Sequence, residues 1–216
     1  MQELSHCPLC SDFESLHFHR DRRREYRLCQ TCCLVFVPAN YYLDSAHERA
    51  EYDKHQNNYE DSGYRRFLSR LAEPLLASID PQSRGLDFGC GPGPALAQML
   101  TEAGHHVALY DIYYNPEKSV LKHEYDFICA TEVVEHLHRP REELNMLWSI
   151  LREAGYLAIM TKFVQDLQAF EGWHYKNDPT HVCFFSRDTW QWWARNNHAE
   201  IEFFGNDVVL LKKLGV

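Results

Sequence analysis

No stretch of the 216-residue chain is apolar for long enough to cross a bilayer, and the opening residues MQELSHC lack the charged-then-apolar order of a secretory leader. The expectation is a cytoplasmic protein with no membrane partner. Basic residues are short as well: 22 Lys and Arg face 31 Asp and Glu, a net charge of −9. A surface of that sign repels phosphate backbones, which argues against nucleic acid as the principal partner. The one basic cluster, Arg20, Arg22, Arg23, Arg24 and Arg27, reads first as a solvated loop face, with contact to an acidic partner as the alternative. Internal repeats and low-complexity tracts are absent. What remains, 45% hydrophobic and 25% charged residues, is ordinary for a globular chain of one α/β domain and a small appendage.

Cysteine is not scarce, but its spacing is not that of a disulfide framework. Cys7-Pro-Leu-Cys10 and Cys29-Gln-Thr-Cys32 form two C-x2-C pairs with eighteen residues between them. Two such knuckles let four thiolates converge on one structural Zn²⁺, with Cys33 competing with Cys32 for the fourth position. Cys33, Cys90, Cys129 and Cys183 stand among apolar neighbours and read as small core residues.

Three zones follow. Residues 1–40 are Cys- and Arg-rich, with strand-like runs at 26–28 and 34–37, and read as a zinc ribbon too small to fold without its metal. Residues 41–80 are helical, two segments joined at NNYEDSG, and read as a linker or lid. From residue 81 to 216, strands at 85–88, 106–111, 127–131 and 155–161 alternate with helices at 95–103, 141–151 and 187–197, the last capped by Ser186. Two strands at 200–204 and 208–213 flank Gly205-Asn206-Asp207. The fold class is α/β: a Rossmann-like, mostly parallel sheet covered on both faces, with a closing antiparallel hairpin. Its ligand belongs at the C-terminal ends of the strands.

At that position lies LDFGCGPGPAL, residues 86–96. A phosphate-binding Walker loop needs a Lys followed by Ser or Thr, and has neither here. A dinucleotide fingerprint needs glycine where Pro94 stands, so the pyrophosphate reading is weakened. The pattern that remains, Asp87, Gly89, Gly91 and Gly93, resembles motif I of the class I S-adenosylmethionine-dependent methyltransferases. YDFICATEVVEHL, residues 125–137, resembles motif IV of the same family, nearest its E-V-x-E-H group. The resemblance spans about residues 81–216, and some sugar and natural-product members of that family carry an N-terminal zinc-binding segment.

The resemblance implies S-adenosylmethionine as methyl donor and S-adenosylhomocysteine as product. Gly89, Cys90, Gly91 and Gly93 would then approach the methionine end closely, with Asp87 before them and Pro94 in the first turn of the next helix. Asp111, 24 residues after Asp87, would accept the ribose hydroxyls, and Ile112 would lie against the adenine with Tyr113 and Tyr114. Thr131 and Glu132 would border the sulfonium. Only 14 residues, 112–125, separate Asp111 from Asp126, where the family places a helix, a strand and an acidic loop. The third strand should be vestigial.

Methyl transfer needs alignment and sometimes a base. The segment EGWHYKNDPTHVCFFS, residues 171–186, offers His174, Tyr175, Asp178 and His181 on the acceptor side. His181 is a candidate base; His136 reads first as a structural histidine bonded to nearby backbone, with a catalytic role as the alternative. His174, Asp178 and His181 could instead hold a metal, though their spacing is not a familiar signature. Lys162 reads as solvated, with an anionic substrate group as the alternative. Trp190, Trp192 and Trp193 cannot share one helix face, so core packing with one exposed ring is expected. Tyr52, Asn57, Tyr59 and Tyr64 are possible lid contacts to the cofactor. The leading expectation is methyl transfer to a small or medium polar acceptor. The alternatives are an RNA or protein methyltransferase gripping its partner through the ribbon, and a non-catalytic cofactor- or zinc-binding interaction protein. The acceptor atom and oligomeric state are not encoded in any motif.

Overall fold

The structure, a computed structural model, describes residues 6–54 and 61–215. Asn57 and Tyr59 lie outside the described residues.

The larger sheet comprises β4 (Arg84–Phe88), β5 (His106–Tyr110), β6 (Tyr125–Thr131), β7 (Leu151–Met160), β9 (Ala199–Phe204) and β10 (Val208–Lys213), in the order β5-β4-β6-β7-β10-β9. The first four run parallel, and β10 is antiparallel to both its neighbours. The pattern of burial explains the order. Phe127, Ile128, Cys129 and Ala130 are fully buried on both faces of β6, as are Val208 to Leu211 on β10, so neither can sit at an edge. β9 alternates exposed and half-buried residues, which suits the outer place it takes. The third strand is reduced to one bridge, Asp111 N–H to Asn115 O at 2.9 Å and back at 3.1 Å, and a short 3₁₀ turn at Lys118–Lys122. That leaves β5 as the sheet's other edge.

Helices cover both faces. α2 (Ser62–Leu76) starts at Ser62 because Asp61, at its cap, accepts a hydrogen bond from Tyr64 N–H at 2.8 Å. It buries Leu68, Leu71, Ala72 and Leu75 against the sheet beside α3 (Ala95–Glu102). α4 (Pro140–Ser149) and α6 (Arg187–Asn196) pack into the opposite core. In α6 Ser186 and Thr189 form a reciprocal capping box. Trp190 and Trp193 are buried and Trp192 is half-buried against the same core, so none of the three is the exposed ring that was expected.

The N-terminal sheet is four-stranded: β1 (Ser15–Arg20), β2 (Glu25–Cys29), β3 (Val35–Phe36) and β8 (Cys183–Phe184), antiparallel throughout. Its last strand comes from the distant segment that follows β7, with Val35 opposite Phe184 and Phe36 opposite Cys183. One aromatic cluster runs across the join: Tyr26, Phe170 and Phe184 meet edge-on at 5.0 to 5.8 Å. The sheet therefore crosses the division at residue 40. Two of its strands escape a reading of the sequence, β1 because its alternation in SLHFHR rests on only two apolar residues, Leu16 and Phe18, and β8 because it is two residues long. Two helices remain, α1 (Ser45–Tyr52), capped by Asp44, and the short α5 (Leu167–Glu171).

Candidate active site

A cleft of about 1180 Å³ opens at the C-terminal ends of β4, β5 and β6, with α1 along its rim. Its floor begins with the turn from β4 into α3. Gly89 (φ +75°) and Gly91 (φ +63°) take the left-handed conformation, and a Cβ at Gly89 would overlap the Val133 side chain. The turn is tied to the end of β5 by Gly89 N–H and Cys90 N–H, which donate to Tyr110 O at 2.7 and 3.2 Å. We expect Gly89→Ala to cost about 1–2 kcal/mol from backbone strain alone. At about 2–4 °C per kcal/mol for a chain of this size, a thermal melt will show a drop of several degrees.

Asp87 and Gly93 stand behind this wall; neither lines the cleft. Asp87 is buried under the start of α3, where the cap position holds Pro94 and supplies no side-chain acceptor. Pro94 thus lies one place before the first turn, not within it. Burial pushes the Asp87 carboxyl from 3.8 up to about 7, with Ala97 N–H drawing it down and Asp111 adding to the rise. The folded chain therefore retains a proton that the unfolded chain releases. Stability contributed by this group falls as pH rises from about 4 to about 7 and is level above that. Asp87→Asn should flatten that slope, as read from urea unfolding at about pH 5 and about pH 8.

Asp111 joins two loops. Its Oδ2 accepts Gly91 N–H at 3.0 Å, and its Oδ1 accepts Tyr113 N–H at 2.8 Å and Tyr114 N–H at 3.0 Å. Ile112 beside it is 67% exposed and lines the cleft. The two tyrosines reach across to α1: Tyr113 OH donates to Glu48 at 2.8 Å and Tyr114 OH to Asp53 at 2.7 Å. Tyr52 and Tyr64 also line the cleft.

The far wall is the end of β6. Thr131, Glu132, Val133 and His136 face the cleft, and Glu135 lies beneath them with no exposure. Glu132 has φ +53°. The Tyr175 phenol sits between the carboxylates, donating to Glu135 Oε1 and lying 3.3 Å from Glu132 Oε2. Burial pushes Glu132 up to about 7 against the pull of Lys162, and raises Glu135 well above the usual range with the Glu132 charge adding to it. Burial and the two carboxyls hold the Tyr175 hydroxyl well above 10. It is a donor.

His181 is 6% exposed, and its Nδ1 lies 2.7 Å from Tyr175 O, which makes Nδ1–H the donor. His136 Nδ1 lies 2.9 Å from the Thr180 hydroxyl, which itself donates to Asp178 at 2.6 Å. His136 is thus tied to a side chain of a distant loop. The two imidazoles meet edge-on at 4.6 Å. His174 is exposed, with Nε2 3.2 Å from Lys162 Nζ. Among the described residues His174, Asp178 and His181 do not form a ligand cluster; His181 converges with Glu135 and His136. Glu135 and Thr180 were missed by sequence reasoning. The i, i+3 spacing of Glu132 and Glu135 was the available signal for the first; nothing local marked the second.

The loop from 174 to 181 is fastened from outside. Arg24, 6% exposed, donates to the carbonyls of Lys176 (2.7 Å), Asp178 (2.8 Å) and Pro179 (3.2 Å) and to Tyr26 OH (3.0 Å). Arg23 donates to Asn177 O at 2.7 Å. Arg24 is a buried strut and not part of a solvated face. Beyond it, the sulfurs of Cys7 and Cys32, and those of Cys10 and Cys29, approach to 3.4 Å, and all four lie within 4.8 Å of one another. Cys33, at φ +58°, is not in the cluster.

Residues 55–202 match the family described as methyltransferase domain. No curated protein matches the sequence. Among solved structures, the chain is similar to 1,6-didemethyltoxoflavin-N1-methyltransferase of Burkholderia thailandensis with bound S-adenosylhomocysteine. The TM-score is 0.53 at 16% identity, over 94% of this chain and 100% of that one. It is also similar to magnesium protoporphyrin IX methyltransferase of Synechocystis PCC 6803 with bound S-adenosylhomocysteine, with a TM-score of 0.51 at 17% identity, over 81% of this chain and 96% of that one.

Proposed function

Because the chain belongs to this methyltransferase family, and is an S-adenosylmethionine-dependent methyltransferase, we propose that the cleft binds the cofactor between the Gly89–Gly91 turn and Asp111 and methylates a small or medium polar acceptor. The observation that carries the reading is the Asp111 carboxylate, fixed by Gly91 N–H at the bare turn and open toward the cleft. The left-handed turn at Gly89 and Gly91 brings bare backbone to the cleft wall, which suits close approach of the phosphate-free methionine end. The carboxylate suits a pair of ribose hydroxyls. Cys90, Ile112, Thr131 and Glu132 border the same space; Asp87 and Gly93 support it from behind.

A cleft of about 1180 Å³ exceeds the size of an ordinary ligand pocket, which leaves room for an acceptor beside the donor. The acceptors named for the two similar structures are small molecules. Nucleic acid is disfavoured by net charge and by the engagement of Arg23, Arg24 and Arg27 in bonds within the chain. We further propose that the four cysteines hold a structural Zn²⁺: four converging, largely buried sulfurs fill a tetrahedral shell and leave no position for substrate. Among the described residues no helix is long and apolar enough to cross a membrane. Calorimetric titration with S-adenosylhomocysteine tests the cofactor reading. One site per chain is expected; absence of binding would sink it.

A further inference from the structure

The buried end of the cleft holds more ligating groups than methyl transfer requires. Glu135 is wholly buried, and its Oε2 has no hydrogen-bond partner, although its Oε1 takes the Tyr175 proton. An unsatisfied buried carboxylate oxygen is costly and rare, and its presence calls for a compensating group. One nitrogen of His136, one of His181 and an oxygen of Glu135 all lie within 4.8 Å of one another. Glu132, just before the short turn Val134–His136, adds a second carboxylate with an unpartnered buried Oε1.

We propose that Glu135, His136 and His181 bind a divalent first-row cation at the acceptor end of the cleft, with Glu132 beside it. The outer contacts are those of metal-bound imidazoles. Each ring donates its Nδ1–H to an oxygen, His181 to Tyr175 O and His136 to the Thr180–Asp178 pair, which orients Nε2 as the electron-pair donor. Two imidazoles with carboxylate oxygens suit manganese, iron, cobalt or zinc better than calcium. His136, His181 and Glu132 line the cleft, so an ion there keeps positions open to an oxygen of the acceptor. Asp178 Oδ2, 3.8 Å from His181 Nε2, supplies the rival arrangement, a protonated His181 paired with a carboxylate and no ion.

That role toward the acceptor rests on the methyl-transfer reading; the binding of the ion does not, and the two are tested separately. Mn²⁺ is the probe, because thiolates disfavour it and the four-cysteine cluster will not mask the result. Electron paramagnetic resonance of the full chain titrated with Mn²⁺ is expected to show one ion bound per chain. Glu135→Gln and His181→Ala should weaken it by about 100-fold or more, since even the outer partners of metal ligands are worth about 10- to 100-fold. Near-UV circular dichroism checks that each variant is folded, and if either is not, the wild-type stoichiometry alone decides. No bound Mn²⁺ in the wild type, or binding indifferent to both substitutions in folded protein, overturns the proposal. A chain that binds Mn²⁺ but not S-adenosylhomocysteine supports the ion site and removes the cofactor reading.

Discussion

Replacing Asp111 with Ala is expected to weaken S-adenosylhomocysteine binding by about 10- to 100-fold, measured by calorimetry. Two losses contribute. In the proposed complex the carboxylate accepts the ribose hydroxyls, and charge-assisted bonds of this kind are the strong ones. In the chain itself it accepts three backbone N–H groups, from Gly91, Tyr113 and Tyr114, so its removal also frees the turn that faces the methionine end. An analogue lacking both ribose hydroxyls separates the two. If the direct contact dominates, the analogue binds wild type and Asp111→Ala almost equally, and the cycle returns a large coupling. If loop anchoring dominates, the variant loses affinity for both ligands alike. Asp111→Asn keeps an acceptor for Tyr113 and Tyr114 N–H but not the charge, and should fall between. Unchanged affinity in Asp111→Ala would mean that the ribose lies elsewhere.

The place of Asp111 beside the glycine-rich turn was legible in the sequence because that turn and the acid closing the next strand sit at a spacing set by one βαβ unit. The vestigial third strand was legible for an equally simple reason: 14 residues cannot hold a helix and a strand. Asp87 and Gly93 belong to the same motif, yet the structure turns both away from the cleft. An acid inside a buried strand is spent on the helix start, because Pro94 leaves α3 without a side-chain cap. Spacing alone cannot separate those roles. Nor could it reveal Arg24, whose carbonyl partners lie 152 to 155 positions along the chain. Such contacts depend on β3 pairing with β8, and a two-residue strand has no periodicity to read. The alternative metal grouping of His174, Asp178 and His181 is not the one the fold assembles: His181 sits with Glu135 and His136, brought there by the hydrogen bond from Val182 N–H to Glu135 O at 2.8 Å.

That long-range pairing leads to the second large effect. Cys32→Ser is expected to release the proposed Zn²⁺ and unfold the N-terminal sheet. Apparent zinc-binding energies of about 10–16 kcal/mol match or exceed the whole stability of an ordinary domain. The consequence should travel to the cleft. Without β3, the Cys183–Phe184 strand loses its neighbour, and without Arg24 the carbonyls of Lys176, Asp178 and Pro179 lose their donors. The acceptor side, Tyr175 to His181, should then open, while Gly89, Gly91 and Asp111 stay anchored by bonds within the parallel sheet and its loops. The variant is therefore expected to retain S-adenosylhomocysteine affinity within about threefold. It should lose amide protection across residues 174–184 in hydrogen exchange. A substitution serves better than a chelator here, because a chelator would also strip the ion proposed at Glu135 and the two histidines. Arg24→Ala, which leaves the four thiols intact, should reproduce the loss of protection with Zn²⁺ still bound. Full protection of 174–184 in zinc-free Cys32→Ser would show that the loop holds its shape unaided, and the coupling between the metal and the acceptor site would have to be abandoned.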